Sequence, residues 1–141
     1  MTPAPSLDLD FLLNDFVSRV PHVTHVIAVS ADGLLIACND ALPSSESERL
    51  SAIASGLTSL LAGAARSLQA DPVASNLTEM YGGYMFSMSV SGGASLLALA
   101  GHGCDIGQVG HELSNLISRV GPALTPQSRY DNSRDRLPQH G

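Results

Sequence analysis

The chain has 141 residues and 44% hydrophobic content, enough to bury one core but not two, so a single domain is expected. Seven basic residues, all of them arginine, face thirteen acidic ones for a net charge of −6, which excludes the basic footprint of a nucleic-acid or anionic-lipid binder. Cys38 and Cys104 are too few to staple a secreted fold, and there is no N-terminal apolar run and no stretch long enough for membrane insertion, so the chain reads as cytoplasmic.

Residues 1–6 carry two prolines and read as a flexible leader. Leu9, Leu12, Leu13, Phe16, Val17 and Val20 then recur at helical spacing, with Asp8 as cap, Asp10 on the positive end of the helix dipole and Pro21 as stop. Val23–Ser30 and Leu34–Cys38 are two strands joined by Ala31-Asp32-Gly33, a tight turn with glycine at positive φ. A long second helix follows Pro43, because Ser45 and Glu48 have capping-box spacing. Leu50, Ile53, Leu57, Leu60, Leu61, Ala64 and Leu68 supply its expected core face.

Three more strands are expected, Val73–Tyr81, Tyr84–Val90 and Ser95–Ala100, broken by Gly82-Gly83 and Ser91-Gly92-Gly93. The first is the most polar and reads as an edge. The last is apolar on both faces and reads as central. A final helix starts at Asp105, buries Ile106, Val109, Leu113, Leu116, Ile117 and Val120, and stops at Gly121-Pro122. From residue 122 to 141 the sequence is polar and aperiodic, the composition of a disordered tail, with Arg129, Tyr130, Arg134 and Arg136 making it slightly basic. The order helix, hairpin, helix, three-strand meander, helix describes a two-sided α/β (α+β) sandwich.

No catalytic, cofactor or metal site is expected. Gly101-x-Gly103 with Gly107 misses the dinucleotide spacing, and no second strand follows to supply a ribose-binding carboxylate. His102, Cys104, Asp105 and His111 lack a recognised zinc spacing, and His22 and His25 point to opposite faces of a strand. No nucleophile is paired with a base.

The second helix resists a purely structural reading, since no charge lies between Arg49 and Arg66. Beside its leucine face run a stripe of Ala52, Gly56, Ser59 and Gly63 and a further face of Ser51, Ser55, Thr58 and Ala62, where a solvated helix would carry charges. Two interior glycines cost about 1 kcal/mol each relative to alanine, so a close backbone approach is expected, either of a partner helix or of the chain's own sheet. With the polar edge strand, including Asn76 and Thr78, this helix forms a candidate interface for extending the sheet across a two-fold axis.

The runs Leu9-x-x-Leu12-Leu13-x-x-Phe16-Val17-x-Arg19-Val20-Pro21-x-Val23, Val29-Ser30-Ala31-Asp32-Gly33-Leu34, Ala52-x-Ala54-Ser55-Gly56-Leu57 and Gly82-Gly83-Tyr84 resemble the bacterial branch of the Roadblock (dynein light chain) family. The similarity is to the small proteins that accompany Ras-like GTPases in actinobacterial sensor operons, and it covers residues 7–121. It implies a five-stranded antiparallel sheet of profilin or longin type, one long helix on one face and two on the other. It further implies a homodimer joined through the long helix and the edge strand.

The resemblance also implies binding of a Ras-like small GTPase, whose switch regions would meet the long-helix side around Ser51, Ser55, Thr58 and Ala62. Arg49 and Arg66 are then either contacts to the partner's carboxylates, an arginine finger in trans, or solvated helix ends. The expected function is a non-enzymatic dimeric regulator or adaptor that couples a GTPase to a sensor system, with a sensor kinase-like protein as a further partner. The competing expectation is a ligand-sensing module with a pocket under the glycine-rich turns, or a scaffold without a GTPase.

Overall fold

The computed structural model describes residues 8–90 and 92–124. Among them the elements are α1 (Leu9–Arg19), β1 (Val23–Val29), β2 (Leu35–Cys38), α2 (Ser44–Ser67), β3 (Ser75–Met80), β4 (Gly83–Ser89), β5 (Ser95–Ala100) and α3 (Ile106–Leu124), in the expected order. The expected leader, and the expected tail beyond Leu124, lie outside the described residues.

One antiparallel sheet runs β2-β1-β5-β4-β3. As its composition predicts, β5 is central: Ala98 stands between Val26 of β1 and Phe86 of β4, and its side chains feed the cores on both faces. β3 is an edge, paired to β4 from Ser75↔Met88 to Met80↔Gly83. Gly33 supplies the positive φ of the first hairpin. Gly83 is required for another reason: a Cβ there would lie 2.5 Å from the Ala100 carbonyl oxygen, so only glycine lets β4 start against β5.

The two faces differ in depth. On one, α1 and α3 press Leu13, Phe16, Val20, Val109, Leu113, Leu116 and Val120 onto Val26, Ala28, Leu96 and Ala98, the larger core. Arg19 of α1 clips the two helices together through Asp15 at 2.9 Å and Glu112 at 3.2 Å. On the other, α2 lies chiefly over β1 and β2, and the smaller core is Ile27, Val29, Leu42, Ala54 and Leu97. The architecture is an α+β sandwich with helices on both faces of a five-stranded sheet.

Four expectations are corrected. α2 starts at Ser44, directly after Pro43, whose φ of −62° and ψ of 148° set the chain up for the first turn. Ser45 therefore lies inside that turn and the Ser45/Glu48 box does not form; Ser47 Oγ instead donates to the Ser44 carbonyl at 3.0 Å. α3 runs through Gly121-Pro122 to Leu124. Pro122 removes one helical N–H, but the buried stripe Leu113, Leu116, Val120 and Leu124 continues past it, so packing holds the last turn. At the other end of α3, Asp105 caps as expected by accepting from the Gln108 N–H, while Ile106 is exposed rather than internal.

The fourth correction concerns the facing of α2. Ser47, Ser51, Ala54 and Ala65 are its buried residues, and the leucine face turns away: Ile53 is 44%, Leu60 77% and Leu68 75% exposed, with Ala64 also outside. Leu50, Leu57 and Leu61 sit half-buried at the flank. The cause is crowding by the first hairpin. A Cβ on Gly33 would lie 2.9 Å from Ser55 Oγ, and Ser51 Oγ donates to the Gly33 carbonyl at 2.9 Å, so only small side chains fit between helix and turn.

Candidate interaction surface

The outward side of α2 presents Ile53 and Leu60 on an uncharged stretch bounded by the exposed Arg49 and Arg66, and Leu68 is exposed just past the helix end. Burying one such side chain is worth about 1.5–3 kcal/mol. Ala52, Gly56 and Ser59 are exposed beside them and Gly63 is half-buried. The glycines have no intramolecular reason among the described residues. A Cβ on Gly56 would meet nothing within 4 Å, and one on Gly63 only the end of the Arg66 side chain at 4.0 Å. Tight packing on the chain's own sheet therefore does not explain them.

The surface continues onto the sheet. Thr78 pairs with Met85, which packs into the smaller core, so Asn76 and Thr78 share the face that carries α2. Thr78 Oγ1 donates to Asn76 Oδ1 at 2.9 Å. Both side chains, like Met85 and Ser87, are half-buried on the part of the sheet beside the helix.

On the side of β3 paired to β4, the Ser89 N–H donates to the Ala74 carbonyl. Because antiparallel pairs alternate, Asn76, Thr78 and Met80 direct their backbone groups at β4, and Ser75, Leu77 and Glu79 direct theirs outward. Leu77, Met80 and Tyr81 are exposed along this edge, and on the opposite face Leu77, Phe86 and Ile106 line a shallow groove of about 170 Å³. An apolar helix side and an unpaired strand whose one charge is Glu79 are elements that adhere to another chain.

The sequence-selected residues thus separate. Ala52, Gly56 and Ser59 lie on the exposed surface, and Gly63, Asn76 and Thr78 at its half-buried margin. Ser51 is 3% exposed and holds the first hairpin. Ser55 is half-buried beside Gly33, and Thr58 and Ala62 lie with Arg66 along a second groove. The large apolar residues of the surface, Ile53, Leu60 and Leu68, were placed in the core by periodicity. The signal for their true position was the serine and alanine stripe, narrow enough to lie against a hairpin turn.

The remaining polar candidates do not converge. Among the described residues no three His, Cys, Asp or Glu side chains gather as a metal site. His102 Nε2 meets the Tyr81 carbonyl and its ring stands edge-on to Tyr84 at 5.2 Å, while the His22 ring lies against Gly103. Cys38 and Cys104 are free thiols, and burial together with the Asp105 carboxylate pushes the Cys104 thiol up. No described helix is long and apolar enough to cross a membrane.

The family model of the Roadblock/LC7 domain matches residues 9–100, a span from the start of α1 to the end of β5. This chain belongs to the Roadblock/LC7 family. A Roadblock/LC7 domain from Streptomyces avermitilis is 32% identical, over 83% of this chain and 98% of that one, with a TM-score of 0.78. MglB of Myxococcus xanthus superposes with a TM-score of 0.75 at 12% identity, over 92% of this chain and 99% of that one. The gliding protein MglB of Thermus thermophilus also gives 0.75 at 12%, over 88% and 93%. At that identity the two MglB proteins share the Roadblock fold alone. No protein in the comparison with curated sequences matches.

Proposed function

We propose that this Roadblock protein is a non-enzymatic homodimeric adaptor that binds a Ras-like small GTPase and couples it to an upstream sensor, with a sensor kinase-like protein of the same system as a further partner. The observation that carries the reading is the exposed apolar side of α2, with Ile53 and Leu60, on the same face of the sheet as Asn76 and Thr78 of the open-edged β3. Two copies related by a two-fold axis would bury both elements together, pairing edge to edge and helix to helix. Gly56 and Gly63, which no contact among the described residues requires, admit the close approach of that second helix.

Membership of the Roadblock/LC7 family supports a GTPase as the partner through what the Roadblock resemblance implies. In this reading the chain contributes a surface and no reacting group. Arg49 and Arg66, exposed at the two ends of the uncharged stretch, offer charge to a partner's carboxylates. The test is calorimetry of the purified chain against each Ras-like GTPase of its own genome, loaded with GDP or a non-hydrolysable GTP analogue, with mass fixed by light scattering. A dimer that binds one nucleotide state more tightly is the expected result. A monomer that binds neither state refutes the proposal.

A further inference from the structure

A groove of about 610 Å³ opens along α2 on the side away from its leucines: Ala62, two residues from Leu60, points about 200° around the helix. Ala62, Val73, Ala74 and Val90 give it apolar walls, and the Gly92-Gly93 turn closes one end. At its rim stand Arg66 and Asp71, exposed and in no ion pair among the described residues.

The course of α3 brings the chain to this groove. A Cβ on Gly121 would lie 3.7 Å from Val90 Cγ1, and Leu124, one turn on, is fully buried. The chain therefore leaves the fold at the sheet end where Val90 lines the groove. Residues 125–141 contain one aromatic side chain, in the triplet Arg129-Tyr130-Asp131. The six residues from Leu124 to Tyr130 span up to about 20 Å when extended. A sheet layer is about 10 Å across, so the segment reaches the other face.

We propose that the C-terminal segment of this chain docks into its own groove, Tyr130 entering between α2 and the Gly92-Gly93 turn, with Arg129 toward Asp71 and Asp131 toward Arg66. The charge order of the triplet complements that of the rim. The groove lies on the opposite side of α2 from Leu60, so docking does not depend on the homodimer, and it shares Thr58, Ala62 and Arg66 with the surface proposed for the GTPase.

Amide hydrogen exchange on the full-length chain tests this. Tyr130→Ala raises exchange at Val73, Ala74, Gly92 and Gly93 by about fivefold or more and leaves β1 and α1 unchanged. Arg66→Asp does the same, and adding Asp131→Arg in the same chain restores protection. Three results overturn the proposal: exchange unmoved by Tyr130→Ala, no restoration in the charge-swapped double variant, or protection that disappears on dilution, which would assign the segment to a second copy's groove.

Discussion

α2 and α3 are both long helices with apolar residues at helical spacing, yet they use them in opposite ways. α3 buries Val109, Leu113, Leu116 and Val120 and leaves its polar residues to solvent, the arrangement of a helix that completes a core. α2 buries serine and alanine and turns Ile53, Leu60 and Leu68 outward. Two cores of unequal depth result. The α1/α3 face is closed within one chain, whereas the α2 face leaves Ile53 and Leu60 exposed. A helix whose best hydrophobic side looks away from its own sheet is built for a second surface.

Substitutions on each helix separate the two roles. The largest effect on folding is expected from Leu113→Ala, which opens a cavity in the deeper core and should cost about 2–5 kcal/mol in urea denaturation. Leu60→Asp should change the stability of the isolated chain by less than about 0.5 kcal/mol, because the site is exposed. Its effect falls instead on self-association, weakened by about tenfold or more in sedimentation velocity, since each copy would present a charge to an apolar contact.

Ser51→Ala sharpens the contrast from within α2. It strands the Gly33 carbonyl against the helix and should cost about 1 kcal/mol with no change in association, the behaviour of a residue facing its own hairpin. Arg19→Ala is the smallest, less than about 1 kcal/mol, because its ion pairs with Asp15 and Glu112 are partly exposed. A Leu60→Asp chain that unfolds, or a Ser51→Ala chain that fails to associate, would reverse the assignment of faces.

The elements themselves were legible because their signals are local. Asp8 before an apolar helical stripe, Gly33 between a β-branched run and an apolar one, and a doubly apolar β5 each fix a structure within a few residues. The edge position of β3 was legible from its polarity. What failed depended on contacts distant in sequence. An uncharged helix offers several sides that the sheet might take, and the choice was made by the hairpin at Gly33, some 20 residues earlier, which admits only small side chains.

For the same reason Ser51 was read as outer surface and Leu60 as core. Pro122 was read as a stop because its missing N–H is a local fact, while the burial of Leu124 that carries the helix past it is a tertiary one. The surface expected from the sequence and the one proposed from the structure use the same elements, α2 and β3, but periodicity alone puts Ile53 and Leu60 in the core where the structure exposes them.

The central claim, that the outward side of α2 and the open edge of β3 form one self-association surface, is tested most directly by amide hydrogen exchange as a function of protein concentration. The edge-directed amides of Ser75, Leu77 and Glu79 are predicted to become protected as concentration rises, in step with the mass measured by light scattering, while the amides of β5 stay constant. Edge amides that exchange at one rate from the dilute to the concentrated limit, or a mass that rises without protecting them, would contradict it.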